Sequence, residues 1–293
     1  MKDHSEWYIG AGKLAGVLFA CTKLDRVGVL ALLSKFYSPS MSTEDVVRSG
    51  FRLGAKGTHT SRTIMFSELS TTLGMTPATA TRDDYAAAII EENCLSKPTT
   101  ATRRLTNQRL GELYALDPEV LVFRILRRLW EWERDERGRQ LLTIQCALAR
   151  DPLLAATAGP IAELPPGSEF QRDAVRLSLR EFVGHRLNDA TLEKVIRNAA
   201  SSWSQSGHLV GRTFKRRCRV NATATSVTYG LYLARIAGFR GVQLFTSGWV
   251  SVLDCTPSRA RELAIEAKRI GLIDLHAVGD VVDISFAPLE RVA

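Results

Sequence analysis

The chain has 293 residues, 45% of them hydrophobic and 24% charged, so it can bury a sizeable core without disulfide or metal staples. Thirty-nine Lys and Arg against 31 Asp and Glu leave a formal net charge of +8, which favours a polyanionic partner. Apolar runs such as Leu14 to Cys21 and Val27 to Leu33 fall far short of the roughly 20 residues of a membrane helix, and Lys2, Asp3, His4 and Glu6 do not read as a signal peptide, so a cytoplasmic protein without membrane contact is expected.

Residues 1–60 are the least legible segment. The spacing of Gly10, Gly12 and Gly16 resembles a nucleotide-binding turn but lacks the Gly-Lys-Ser/Thr ending of a P-loop, so helix packing is the better reading. Residues 61–164 read as a helical bundle domain. Thr81-Arg82-Asp83-Asp84 opens a helix to Asn93, and Lys97-Pro98-Thr99-Thr100 opens the next, to about Leu116. Asp117-Pro118 and Asp151-Pro152 each place a capping carboxylate before a proline at the first helical position, where the missing N–H costs nothing. Val122, Ile125, Leu126, Leu129 and Trp130 then repeat with helical period, as do Val175, Leu179, Phe182, Val183 and Leu187.

Pro165-Pro166-Gly167 reads as a linker, and residues 168–238 as a winged-helix-like unit. Asn188 or Asp189 caps a helix with Leu192, Val195, Ile196, Ala199, Ala200 and Trp203 on one face; Gly207 ends it, a hairpin spans His208 to Val220, and a helix runs from Ala222 to Ala237. Residues 239–293 repeat the order: Thr256-Pro257 starts a helix with Ala260, Leu263, Ala264 and Ala267 inward. A two-residue turn at Gly279-Asp280 sets Leu275 opposite Ile284, Ile273 opposite Phe286, Ala277 opposite Val282 and His276 opposite Asp283, which gathers the apolar residues on one side. The expected class is therefore mainly α, a multi-helical bundle followed by winged-helix-like units with short β-hairpins.

Charge is unevenly distributed. Between Lys194 and Leu253 there is no Asp or Glu, whereas random mixing would place about six there. Five of the eight residues from Arg212 to Arg219 are basic. On a hairpin beside a helix, Arg212, Lys215, Arg216, Arg217 and Arg219 can track phosphates while Lys194, Arg197, Asn198, Ser201, Ser202 and Gln205 face a groove of double-stranded DNA. Replacing Arg216 and Arg217 by Glu is expected to abolish binding with little effect on stability. Arg103, Arg104 and Arg109 are secondary phosphate candidates. Arg124, Arg127, Arg128, Arg134, Arg137 and Arg139 interleave with Glu131, Glu133, Asp135 and Glu136, which reads as local helix support. The second unit carries Asp274, Asp280 and Asp283 on its hairpin and reads as a packing or dimer module.

Catalytic and metal signals are weak. The five cysteines (Cys21, Cys94, Cys146, Cys218, Cys255) lie far apart and read as reduced thiols. His4, His59, His185, His208 and His276 form no HxxxH or HExxH pair, so no metal and no cofactor is expected. The Ser201 to His208 stretch lacks the Gly-x-Ser-x-Gly elbow and a placed acid, which argues against a nucleophilic enzyme.

Ala88 to Arg104, AIIEENCLSKPTTATRR, resembles a stretch of the BrxA proteins of BREX bacteriophage-resistance systems. Thr191 and Lys194, then Gly207 to Leu209, a charged hairpin ending at Val220 and Ala224 to Leu233 follow in the order that family shows. The resemblance spans roughly residues 60 to 235. It implies a helical, non-enzymatic fold similar to antitermination factors of the NusB type, affinity for double-stranded DNA, and an assembly with a methyltransferase and an ATPase as other subunits. The alternative on the residues alone is a transcriptional regulator that uses two winged units as a homo-oligomer on a palindrome.

Overall fold

The computed structural model describes residues 34–291 apart from Ala55, Gly279 and Asp280. The glycine pattern at Gly10, Gly12 and Gly16, Cys21, and the two turn residues of the second hairpin lie outside the described residues. The described chain is mainly helical with two small antiparallel hairpins. Its elements are α1 (Thr43–Arg48), a 3-10 turn (Thr58–Thr60), α2 (Phe66–Met75), α3 (Arg82–Ile90), α4 (Thr100–Tyr114), α5 (Leu121–Trp132), α6 (Glu136–Arg150), α7 (Pro152–Ala155) and α8 (Ala158–Glu163). There follow α9 (Arg172–Val183), α10 (Asp189–Gln205), β1 (Leu209–Val210), β2 (Arg216–Arg217), α11 (Ala224–Ile236), a second 3-10 turn (Gly241–Thr246), α12 (Gly248–Ser251), α13 (Pro257–Arg269), β3 (Asp274–Val278), β4 (Val281–Ser285) and α14 (Ala287–Glu290).

Local chemistry sets most boundaries. Thr81 caps α3 in a reciprocal box with Asp84, and Thr99 caps α4. Asp151 caps α7 by accepting the N–H groups of Leu153 and Leu154 at 3.0 and 3.2 Å. Asp117-Pro118 does otherwise than expected. Its carboxylate accepts from Glu119 N–H within a turn closed by Val120 N–H on the Asp117 carbonyl, and α5 starts four residues after Asp117 with no side-chain cap. The α3 helix also stops at Ile90 rather than Asn93, where φ turns positive.

Helix α11 is the axis of the bundle. Every residue from Ala224 to Ala234 is buried, which fits a helix enclosed on all sides by α5, α6, α12 and α13. At its N-terminus the hydroxyls of the cap residue Thr223 and of Thr225 donate to the buried carboxylate of Glu133. Trp249 on α12 packs edge-on against Phe36 and Phe51, and its indole N–H donates to the Phe36 carbonyl at 2.7 Å. The larger buried cluster runs from Phe36 to Leu289 and draws on most of the helices between them, α9 excepted. A smaller one joins Val175, Leu179, Phe182 and Val183 of α9 to Leu192, Val195 and Ile196 of α10, over Leu153 and Ala156.

In the second hairpin Leu275 pairs with Ile284, His276 with Asp283 and Ala277 with Val282, in the expected register. Leu275, Ile284, Ile273 and Phe286 are buried, whereas Val281 at its tip is exposed. The four cysteines among the described residues are free thiols. Among the described residues no helix is long and apolar enough to cross a membrane.

Candidate nucleic-acid interface

Helix α10 presents three different faces. Its apolar residues bridge the two buried clusters, Leu192, Val195 and Ile196 in one and Ala199, Ala200 and Trp203 in the other. A polar stripe at Asn198, Ser202 and Gln205 is covered by the segment between Thr58 and Phe66. Asn198 donates to the His59 carbonyl at 2.8 Å, Ser202 Oγ accepts from Ile64 N–H at 3.0 Å, and the Gln205 amide accepts from Phe66 N–H and donates to Thr63 Oγ1. Asn198, Ser202 and Gln205 are therefore withdrawn from the expected groove-facing set, because the chain N-terminal to α2 lies over them.

The third stripe stays outward. Lys194, Arg197, Ser201 and Ser204 are spaced by three, four and three residues, which sets them in line along one side over about 15 Å. Lys194 and Arg197 are exposed and have no ion-pair partner among the described residues; Ser201 is half-buried between them and the hairpin. The Lys215 ammonium donates to Ser204 Oγ at 2.7 Å, so the hairpin is strapped to the far end of this stripe.

The hairpin is itself part of a three-stranded patch. Val210 pairs with Arg216 and Leu209 with Arg217. On the other side of β2 the expected linker adds in: Gly167 and Phe170 N–H donate to the Arg217 and Lys215 carbonyls, and Arg217 N–H donates to the Ser168 carbonyl, each at 2.8 Å. Arg212, Arg216 and Arg219 are exposed, and the side chains of Arg212 and Arg219 have no hydrogen-bond or ion-pair partner among the described residues. Arg219 also lines a cleft of about 220 Å³ together with Arg137 and Gln140 of α6, which brings Arg137 onto the same surface.

Arg217 is a correction to the expected site. Alternation across β2 turns it inward, where it is 4% exposed. Its guanidinium donates to the carbonyls of Ile161 and Cys218 and forms an ion pair with Asp254. The first acid after the window thus serves a buried arginine. The secondary candidates divide as well: Arg103 donates to the Lys97 and Ile90 carbonyls, Arg109 pairs with Glu112, and Arg104 alone of the three is exposed without a partner among the described residues. Of the arginines read as local helix support, Arg127 pairs with Glu131 one turn on and also donates to the Thr76 carbonyl, and Arg128 donates to the Leu289 carbonyl.

The acids closest to the basic surface are largely occupied. Glu193 pairs with Arg172 and Arg176 of α9 at 2.8 and 2.6 Å, and Asp189 pairs with Arg180. Both acids of α10 are thereby compensated from the neighbouring helix, which leaves Lys194 and Arg197 uncompensated. Glu169 stands opposite Arg216 in the strand bridge and is the one acid at the hairpin edge that has no ion pair among the described residues.

Two buried histidines brace the interface from beneath. His59 bridges Asp151 Oδ2 through Nδ1 at 2.7 Å and Ser202 Oγ through Nε2 at 2.8 Å. The three groups follow the order of a nucleophile, base and acid, yet all have zero exposure, and Ser202 also donates to the Asn198 carbonyl. No substrate reaches that hydroxyl while the Thr58–Thr60 turn is in place, so the set is a clamp between α10 and the preceding chain. Gly57 is part of it: a Cβ there would lie 2.1 Å from an Asp151 oxygen. Burial opposes the charge on Asp151, but the His59 ring and the surrounding N–H donors outweigh it and hold the carboxyl below its usual range.

His208 sits under β1, edge-on to Trp203, between Ser206 and the Val252 carbonyl. Burial, reinforced by the nearby Arg217 guanidinium, pushes its pKa down from 6.5 to about 4. Between those values the unfolded chain binds a proton that the folded chain refuses, so stability rises with pH across that window. About 3 kcal/mol is expected to be lost as pH falls from 6.5 to 4 through this group, read as the denaturant midpoint, and a His208→Gln variant should lack that part of the slope.

Compared with known proteins, the chain matches no family model and no curated relative.

Proposed function

We propose that this protein is a non-enzymatic double-stranded DNA-binding subunit of a BREX-type phage-defence assembly, working without a cofactor beside a methyltransferase and an ATPase. The observation that carries DNA binding is the row of exposed cations Lys194, Arg197, Arg212, Arg216 and Arg219, extended by Lys215, on a helix and hairpin with no acid between Lys194 and Leu253. A row of charge in which Arg216 alone faces an acid, Glu169, matches a phosphate backbone and reads no base, so binding is largely independent of sequence. The assembly rests on the BrxA resemblance across residues 60 to 235.

Five or six phosphate contacts give a slope of log affinity against log salt of roughly −5. Titration of a fluorescent 30-base-pair duplex from low to physiological salt measures it, and an affinity insensitive to salt contradicts the proposal. Co-purification of a tagged chain from its native host with a methyltransferase or a large ATPase tests the assembly separately.

A further inference from the structure

The apex of the first hairpin carries an apolar feature that phosphate contact does not use. Phe214 is 70% exposed and Val210, at the end of β1, is 50% exposed. A single exposed aromatic is ordinary. This one is held out by construction. Gly211 turns the chain with φ of +106°, and the Phe214 carbonyl approaches so closely that a Cβ on Gly211 would be 2.2 Å from it. Lys215 then ties the loop down twice, to Ser204 Oγ and to the Gly211 carbonyl, and its own carbonyl accepts from Phe170 N–H. The residue after Phe214 is anchored, and the one three before it can only be glycine.

The surroundings say what such a ring can meet. Arg212 lies on one side and Lys215 and Arg216 on the other, and Val210 stands opposite Arg216 on the outer side of the ribbon. A neutral apolar partner would leave those cations desolvated without counter-charge, which is costly. A duplex supplies both parts, phosphates for the cations and the faces of stacked bases for the ring.

We propose that Phe214 is a wedge that enters a base step of the duplex and bends it, while Arg212, Lys215 and Arg216 hold the flanking phosphates. This rests on the DNA-binding reading above and adds its mode. Apolar side chains that enter base steps unstack them and kink the duplex, so the ring favours steps that are already weak.

The test uses the full chain, a 30-base-pair duplex labelled at both ends for energy transfer, and the same duplex with one central mismatch. The unaltered protein should bend the matched duplex by about 20–90° and bind the mismatched one about threefold to tenfold tighter. Phe214→Ala should keep the salt slope and lose both the bend and the mismatch preference, and Phe214→Leu should retain them. A duplex that stays straight when bound, or bends equally with Phe214→Ala, overturns the wedge and leaves the basic surface standing. Absence of binding by the unaltered chain overturns both. Attachment to vesicles of anionic phospholipid that Phe214→Ala abolishes, with the duplex bend unchanged, also overturns the wedge and assigns the ring to a lipid surface.

Discussion

A variant carrying Arg212→Glu, Arg216→Glu and Arg219→Glu loses duplex affinity by about a hundredfold or more at near-physiological salt. Each reversal removes a released counterion and adds a repelling carboxylate, so the three together change the local charge by about six. The three side chains are exposed, and only Arg216 makes a hydrogen bond within the fold, a 3.3 Å contact to the Gly167 carbonyl. Stability should therefore move by less than about 1 kcal/mol. The control is the same change at Arg134, Arg269 and Arg291, which are exposed and whose side chains have no ion-pair partner among the described residues. Fluorescence anisotropy on both variants decides it, since an equal loss from the two sets would mean that net charge, not this surface, governs binding.

Arg217 behaves in the opposite way. Arg217→Ala should cost about 3–5 kcal/mol of stability, because it leaves the Asp254 carboxylate largely buried and without its counter-charge and frees two buried carbonyls. The Asp254 side chain retains one partner, Val220 N–H at 2.9 Å, which is too little to offset the loss. The urea midpoint of Arg217→Ala against that of Arg216→Ala measures the difference between adjacent residues of one strand. A loss below about 1 kcal/mol would show that the ion pair is loose. The double change of Arg216 and Arg217 to Glu therefore mixes unfolding with lost contact and cannot report on DNA alone. Arg127 and Arg128 are equally unsuited as controls, since both are tied into the fold.

What was legible in the sequence depends on how locally each feature is determined. The register of the second hairpin and the inward face of α13 follow from residues within one or two turns of each other, and both are found as expected. The capping at Asp151 is likewise local, whereas at Asp117 the same dipeptide closes a turn, and the Val122 N–H in the first turn of α5 is met by the Ser49 carbonyl, a partner from far along the chain. The site shows the same divide. A run of five cations in eight residues marks the hairpin, but only strand alternation and the position of Asp254 decide that Arg217 points inward. Asn198 looked available because its cover, the His59 carbonyl, is 139 residues away. The apolar residues from Phe36 to Phe51 carry no clear period because Phe36 lies in a helical turn, Tyr37, Met41 and Phe51 lie outside helices, and what gathers Phe36, Tyr37 and Phe51 is Trp249.

The Trp249 contact has a consequence during synthesis. Phe36 and Trp249 are 213 residues apart, and translation at about 5–20 residues per second separates their emergence by roughly 10–40 s. For that interval Phe36, Tyr37 and Phe51 have no indole to close over them, and the nascent chain offers a continuous aromatic patch to holding chaperones. Ribosome-bound chains stalled before Trp249 should accordingly be captured, and those stalled beyond the end of α13 released.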